Sequence, residues 1–204
     1  MKIGSEKMKL SILTATYNRA SFLERLYESI IVNLDKELDV EWLIMDDGSE
    51  DETSEIVQKF IDESKVEIKY KKQENQGKMV AINNLMQYVT GDLIVDCDSD
   101  DYFTSNAFKI IKEEAEKTPK EGLYAMCFLK QTSNGKIDGT NFKNQISNMF
   151  DIYFKEGVTG EKGLVFYADI RKKYKHELEH NEKFVTEARM YHKMDENYKV
   201  KCIN

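Results

Sequence analysis

Three short apolar runs constrain the fold more than any other feature of this chain: Leu10 to Thr16, Val40 to Met45, and the run through Leu93, Ile94 and Val95. Each breaks off into polar residues, and each is followed by a segment with helical spacing. Runs this short suit strands, and strands alternating with helices over short connections specify a doubly wound, mainly parallel α/β sheet. Ligands of such sheets bind beyond the carboxyl ends of the strands. The ends here are Thr14-Ala15-Thr16-Tyr17-Asn18, Asp46-Asp47-Gly48 and Asp98-Ser99-Asp100-Asp101, which together line one candidate nucleotide site.

The third end is the most telling. Carboxylates crowded at a strand end disfavour each other's ionisation unless a cation sits among them. Extended periodicity through this segment would turn Asp98 and Asp100 to one side and Ser99 to the other. Two carboxylates on one side suit Mg²⁺ or Mn²⁺, which take few protein ligands and are completed by substrate phosphates. A solvated acidic turn is the alternative, weakened by the second acidic end at Asp46-Asp47.

The connections read as follows. Ser21 and Glu24 have capping-box spacing ahead of Phe22, Leu26 and Ile30, and Ser49 and Glu52 repeat it ahead of Ile56, Val57, Phe60 and Ile61. Val66, Ile68 and Tyr70 alternate with charged residues as a half-exposed strand does. A helix with Met79, Ile82, Leu85, Met86 and Val89 follows Gly77-Lys78 and stops at Gly91, and another around Phe108 and Ile111 ends near Pro119. Leu123 to Lys130 then reads as a strand, Asn134-Gly135-Lys136 as a turn, Ile137 to Phe154 as loop-rich, Leu164 to Phe166 as a strand, and Glu182 to Met194 as a helix.

With 204 residues, no linker and no repeats, the expectation is one domain over 1–204, with a nucleotide-binding part over about 8–118 and a smaller part over 119–204. A net charge of −7 argues against a nucleic-acid surface. No apolar run approaches the roughly 20 residues that span a bilayer, and Met1 to Met8 lacks the apolar core of a signal peptide, so a cytoplasmic protein is expected. Cys97, Cys127 and Cys202 are odd in number and far apart in apolar runs, so they read as reduced core thiols. His176, His180 and His192 show no ligand spacing, and Phe184 and Tyr191 read as core.

The chain resembles the inverting glycosyltransferases of family 2, whose nucleotide-binding half has the Rossmann-like GT-A fold. The resemblance rests on Ser11 to Arg19, Trp42 to Ser49 with Asp51, Asn75-Gln76-Gly77-Lys78 with Ala81 and Asn83, Gly91-Asp92, and Asp98 to Asp101, all in the family's order. It implies a nucleotide-sugar donor, with UDP favoured because Asp47 would accept from the uracil imide. It implies that Thr14, Thr16 and Tyr17 line the nucleotide site, that Asp98 meets the ribose or the metal shell, that Asp100 holds Mn²⁺ or Mg²⁺, and that Lys78 meets the diphosphate. Asp46 is read instead as a turn partner or helix-terminal charge.

The segment Glu182-Lys183-Phe184-Val185-Thr186-Glu187 resembles the family's stretch that supplies the catalytic base from an acidic pair, often its second member. Here the second position is Ala188, which makes Glu187 the candidate base. The resemblance further implies a saccharide or lipid-linked acceptor in cell-envelope polysaccharide or glycolipid synthesis. It also implies a C-terminally truncated chain and peripheral membrane association of the full-length protein at the inner membrane face. The Gln-x-x-Arg-Trp segment of processive synthases is missing, which favours single-sugar addition. A nucleotide-sugar binding module without catalysis, or a receiver-like Mg²⁺-binding signalling domain, are the rival readings.

Overall fold

Trp42 organises the first half of the protein. In the computed structural model, which describes residues 7–34, 38–179, 182–183 and 185–204, its indole lies fully buried on β2 (Asp39–Asp46). Tyr27 of α1 (Ala20–Val32) and Phe60 of α2 (Thr53–Glu63) stack on each other at 4.2 Å, and both rings lie over the indole, at 6.3 and 6.1 Å. The readings made above for Met1 to Glu6, His180 and Phe184 fall outside the described residues.

The described residues form two compact units, Met1–Glu113 and Glu114–Asn204. In the first, β1 (Lys9–Thr16) pairs in parallel with β2 and with β4 (Leu93–Asp96), and β2 pairs in parallel with β3 (Glu67–Lys72). The order β3-β2-β1-β4 is that of a doubly wound sheet. Every residue of β2 from Glu41 to Asp46 is buried, as a strand covered on both faces requires. The α3 helix (Lys78–Leu85) buries Met79, Ala81, Ile82 and Leu85 and packs against β1 and β2. The α4 helix (Ala107–Lys117) buries Phe108 and Ile111.

The second unit has a mixed sheet. Its β5 (Leu123–Leu129) runs antiparallel to β7 (Lys162–Tyr167) and parallel to β8 (Lys199–Ile203), which carries the two-residue β6 (Ile146–Ser147) on its far edge. Two short helices, α5 (Ala168–Arg171) and α6 (Ala188–Asp195), and a π-helical turn at Asp151–Lys155 complete it. Both β6 and β8 escape sequence reading, one because it is two residues long and the other because Lys199 and Lys201 interrupt it.

Several helix starts differ from expectation. Neither predicted capping box forms. Ser21 lies inside α1, and Asp51 accepts the Ala20 N–H at 3.0 Å from a neighbouring turn. The same Asp51 caps α2 through the Thr53 N–H and hydroxyl, while Ser49 accepts the Asn18 N–H instead. Burial works to raise the Asp51 pKa, but these hydrogen bonds outweigh it and hold the group below its ordinary value. The α3 helix stops at Leu85, giving way to a 3₁₀ turn at Met86–Tyr88, short of Gly91. Gly91 is needed for space: a Cβ there would lie 2.5 Å from Ser11 Oγ and 2.8 Å from the Lys9 carbonyl. The α6 helix starts at Ala188, six residues later than its sequence suggests, with Thr186 Oγ1 accepting the Ala188 N–H.

The three cysteines are buried and form no disulfide. Cys127 and Cys202, distant in sequence, are register partners across β5 and β8, and burial pushes the Cys202 thiol up to about 12. Among the described residues, no helix is long and apolar enough to cross a membrane.

Candidate functional site

The carboxyl ends of β1, β2 and β4 carry the polar residues singled out in the sequence, and the turns after them are tied together. Asn18 has a positive φ of 50°, a conformation its short amide side chain tolerates. It bridges the turns after β1 and β2, its N–H donating to Ser49 Oγ at 2.9 Å and its Oδ1 accepting from Glu50 N–H at 2.8 Å. Asp46 is fully buried and acts within its turn, accepting from Ser49 N–H at 2.7 Å and from Tyr70 Oη at 2.5 Å. Burial and then that Asp46 bond push the Tyr70 hydroxyl above its ordinary range.

Asp47 is 3% exposed and accepts three hydrogen bonds. Gln73 Nε2 and Gln76 N–H reach Oδ1 at 2.8 and 2.9 Å, and Gly77 N–H reaches Oδ2 at 2.8 Å. Gln73 in turn accepts from Asn84 of α3 at 2.9 Å. One carboxylate thus fixes the whole approach to α3. Gly77, the residue before that helix, has φ of 96°, which a side chain would strain. Lys78 then opens α3 at the terminus where the helix dipole favours anions.

The acidic segment is not extended. Strand β4 ends at Asp96, and the Asp101 N–H donates to the Asp98 carbonyl at 3.0 Å, closing a turn. The expected alternation still appears, because the turn buries Ser99 and leaves Asp98 and Asp100 partly exposed. Each carboxylate meets a cation. Lys78 Nζ lies 2.7 Å from Asp98 Oδ1, and Arg19 Nη1 pairs with Asp100 Oδ2. Arg25 of α1 donates to the Asp100 backbone carbonyl and rests its guanidinium 4.6 Å from the Tyr102 ring centroid.

The remaining sequence candidates separate. Thr14 is fully buried and its hydroxyl accepts from Trp42 Nε1 at 3.0 Å, so its side chain is committed to the core. Thr16 is 2% exposed, and its hydroxyl has no hydrogen-bond partner among the described residues. Tyr17 is exposed, with its ring available to a ligand. In the second unit, Glu187 is half-buried at the start of α6, and its backbone carbonyl accepts from Met190 and Tyr191. Asp195 accepts from Tyr124 Oη and from the Met149 and Phe150 N–H groups, and burial raises its pKa despite them. Tyr191 is half-buried with its ring 6.2 Å from that of Phe166.

Arg25 and Gln73 are site residues that sequence reading missed. A lone Arg on a helix and a Gln past a strand carry no signal until the fold brings them to the acidic loop and to Asp47.

The family model for glycosyl transferase family 2 matches residues 11–181. The chain belongs to glycosyl transferase family 2. Its relatives include an uncharacterized glycosyltransferase of Mycoplasma genitalium, 33% identical over 129 residues that cover 60% of this chain and 43% of the relative. Another is the GalNAc(5)-diNAcBac-PP-undecaprenol β-1,3-glucosyltransferase of Campylobacter jejuni, 30% identical over 62% of this chain and 40% of its own length. The chain thus spans less than half the length of these curated relatives.

The fold matches that of TarS residues 1–349 from S. aureus in complex with UDP-GlcNAc, with a TM-score of 0.67 at 19% identity, over 97% of this chain and 59% of the other. It also matches the mannosyltransferase PcManGT from Pyrobaculum calidifontis in complex with GDP-Man and Mn²⁺, with a TM-score of 0.66 at 16% identity, over 98% of this chain and 55% of the other. The mixed α/β architecture of this family 2 chain is that of GT-A glycosyltransferases.

Proposed function

We propose that the chain is the donor-binding and catalytic part of an inverting glycosyltransferase that moves a sugar from a UDP-sugar to an acceptor hydroxyl. The observation that carries this reading is the linkage of the β1, β2 and β4 ends through Asn18, Asp47 and Lys78, beside two partly exposed carboxylates. The UDP-GlcNAc held by TarS supports a uridine donor, and the acceptor named for the Campylobacter relative supports a lipid-linked saccharide.

Asp47 uses three of the roughly four acceptor positions of a carboxylate, leaving one for a uracil imide N–H. Tyr17 offers its ring, Thr16 its hydroxyl, and Lys78 a point charge for the diphosphate at the α3 terminus.

Among the described residues no group of three or more His, Cys, Asp or Glu side chains gathers as a metal site. The donor set nonetheless fits a hard cation shared with substrate, because Mg²⁺ and its analogues take one or two carboxylates and complete their shell with phosphate oxygens and water. Asp100 and Asp98 would hold it, and bound there it would supply Lewis-acid neutralisation of the leaving diphosphate. Glu187 takes the acceptor proton as the hydroxyl attacks the anomeric carbon from the face opposite the leaving group.

The test is hydrolysis and transfer of a UDP-sugar panel with Mn²⁺, compared between wild type and Asp100→Asn. Metal-dependent release of UDP that is lost in Asp100→Asn supports the reading. Tight UDP binding with no donor turnover, acceptor present, identifies a binding module without catalysis.

A further inference from the structure

The sequence assigns Asp98 and Asp100 to a cation, and the fold provides each with one already. Lys78 occupies Asp98 and Arg19 occupies Asp100, while Arg25 holds the backbone of the same turn. The acidic loop is therefore neutralised from within. A divalent ion arriving alone meets two positive side chains on the carboxylates it would use, and like charges at close range disfavour its binding.

Neither pair is locked. The side chains of Arg19 and Asp100 are 47% and 44% exposed, and those of Lys78 and Asp98 are 37% and 47% exposed. Exposed pairs are weak and exchange partners readily. Both cations also have an obvious second partner. Lys78 stands at the α3 terminus, and Arg19 follows directly on the Tyr17-Asn18 turn at the end of β1, so both flank the strand ends where a nucleotide would lie. A guanidinium fits phosphate oxygens as well as it fits a carboxylate.

We propose that Arg19 and Lys78 form an electrostatic latch that makes metal binding conditional on the nucleotide. When a nucleoside diphosphate enters, its phosphate oxygens take over the guanidinium and the ammonium, and Asp100 and Asp98 are released to the divalent ion. Arg19 is then a diphosphate-binding residue as well as the guard of Asp100. The latch prevents the acidic loop from scavenging cations without donor. Because coupling between two ligands is reciprocal, the factor by which UDP tightens metal binding equals the factor by which metal tightens UDP. This inference rests on the metal role proposed above for Asp100.

The experiment titrates Mn²⁺ into the protein with and without saturating UDP, reading free Mn²⁺ by its electron paramagnetic resonance signal. Wild type, Arg19→Gln, Arg19→Lys, Lys78→Gln and Asp100→Asn are compared, with thermal unfolding as a check on folding. In wild type, UDP raises Mn²⁺ affinity by about tenfold or more, within the usual range for coupled sites. Arg19→Gln and Lys78→Gln bind Mn²⁺ alone several-fold more tightly than wild type and gain less from UDP, whereas Arg19→Lys keeps the wild-type behaviour. Unchanged or weaker metal-only binding in both Gln variants overturns the latch while leaving Asp100 as a ligand. Asp100→Asn binding Mn²⁺ with UDP as tightly as wild type overturns the metal site itself, and the latch with it.

Discussion

The Asp47 carboxylate holds the Gly77 N–H at 2.8 Å, joining the turn after β2 to the residue just before α3. This contact makes Asp47 a structural support of α3 as well as the candidate partner of the base. The two duties separate experimentally. Asp47→Ala leaves the part-buried Gln76 and Gly77 N–H groups without their acceptor, a loss of about 1–3 kcal/mol each where no water replaces it. Chemical denaturation should show a stability loss of that order, and the Gly77 amide should exchange faster with solvent than the amides in the middle of β2. Unchanged exchange at Gly77 would remove the supporting role.

Base selectivity follows from the remaining acceptor position of Asp47. An ionised carboxylate only accepts, so it pairs with the uracil N–H and poorly with cytosine. UDP should bind more tightly than CDP by roughly 1.5–3 kcal/mol, the usual worth of a hydrogen bond to a charged group. Competition binding gives the comparison, and equal displacement by the two nucleotides ends the uracil assignment.

Glu41 sets the acid limit of the first unit. It is fully buried on β2 and accepts from Ser11 Oγ at 2.6 Å, from Thr90 N–H at 2.7 Å, from Thr90 Oγ1 at 2.8 Å and from Lys69 Nζ at 3.2 Å. Burial favours the neutral acid, but these donors outweigh it and hold the carboxyl down to about 2 from an ordinary 4.5. A depressed carboxyl stabilises the fold fully above its unfolded value and loses that contribution as pH falls through its folded value. The contribution, on the order of 3 kcal/mol, should therefore vanish between about pH 4.5 and pH 2. Urea midpoints across this range should fall steeply for wild type and less steeply for Glu41→Gln, which starts from a lower stability at neutral pH. Parallel curves for the two proteins would contradict the assignment.

Gly91 allows the same network to close. Its N–H donates to Ser11 Oγ at 3.0 Å, and its missing side chain is what lets β1 approach. Gly91→Ala forces a methyl against backbone as well as side chain, and overpacking of this kind costs about 1–3 kcal/mol. Thermal melting measures it, and a melting temperature at or above wild type would show that the strand gives way without penalty.

How much of this was legible in the sequence differs between the two units. In the first, β1, β2 and β4 are apolar runs, β3 alternates, and the turns carry Asp, Asn and Gly, so the elements and their succession along the chain follow from periodicity. What the sequence misplaces there are the caps, because Asp51 supplies both α1 and α2 from outside their own starts, a tertiary solution that local spacing cannot show. The acidic loop reads correctly in exposure but for the wrong reason, a turn in place of an extended strand. The counter-cations Arg19 and Lys78 stand in motifs recognised in the sequence, yet their pairing with Asp100 and Asp98 depends on contacts 81 and 20 residues apart. In the second unit, β8 alternates lysines with Val200 and Cys202 and is recognisable only once β5 stands beside it.

The proposed catalytic base, Glu187, stands alone, because Ala188 occupies the second position of the segment that resembles the family's acidic pair. If Glu187 takes the acceptor proton, it contributes to the transfer step and not to holding the donor. Glu187→Gln keeps shape and hydrogen-bonding capacity while removing the basic carboxylate, so UDP affinity should stay within a few-fold of wild type. Transfer to a saccharide or lipid-linked acceptor should fall by about 10²–10⁴-fold, the usual contribution of general-base catalysis. The pH profile adds a second reading: the acidic limb of kcat/KM reports the base of the free enzyme and should disappear with Glu187 if this group is responsible. Transfer near the wild-type rate in Glu187→Gln, with the acidic limb intact, would eliminate it. The role would then pass to Asp195, whose raised pKa and half-buried setting suit a base better than exposed Asp169, paired with Lys120, or Glu182, which accepts from the Glu179 N–H.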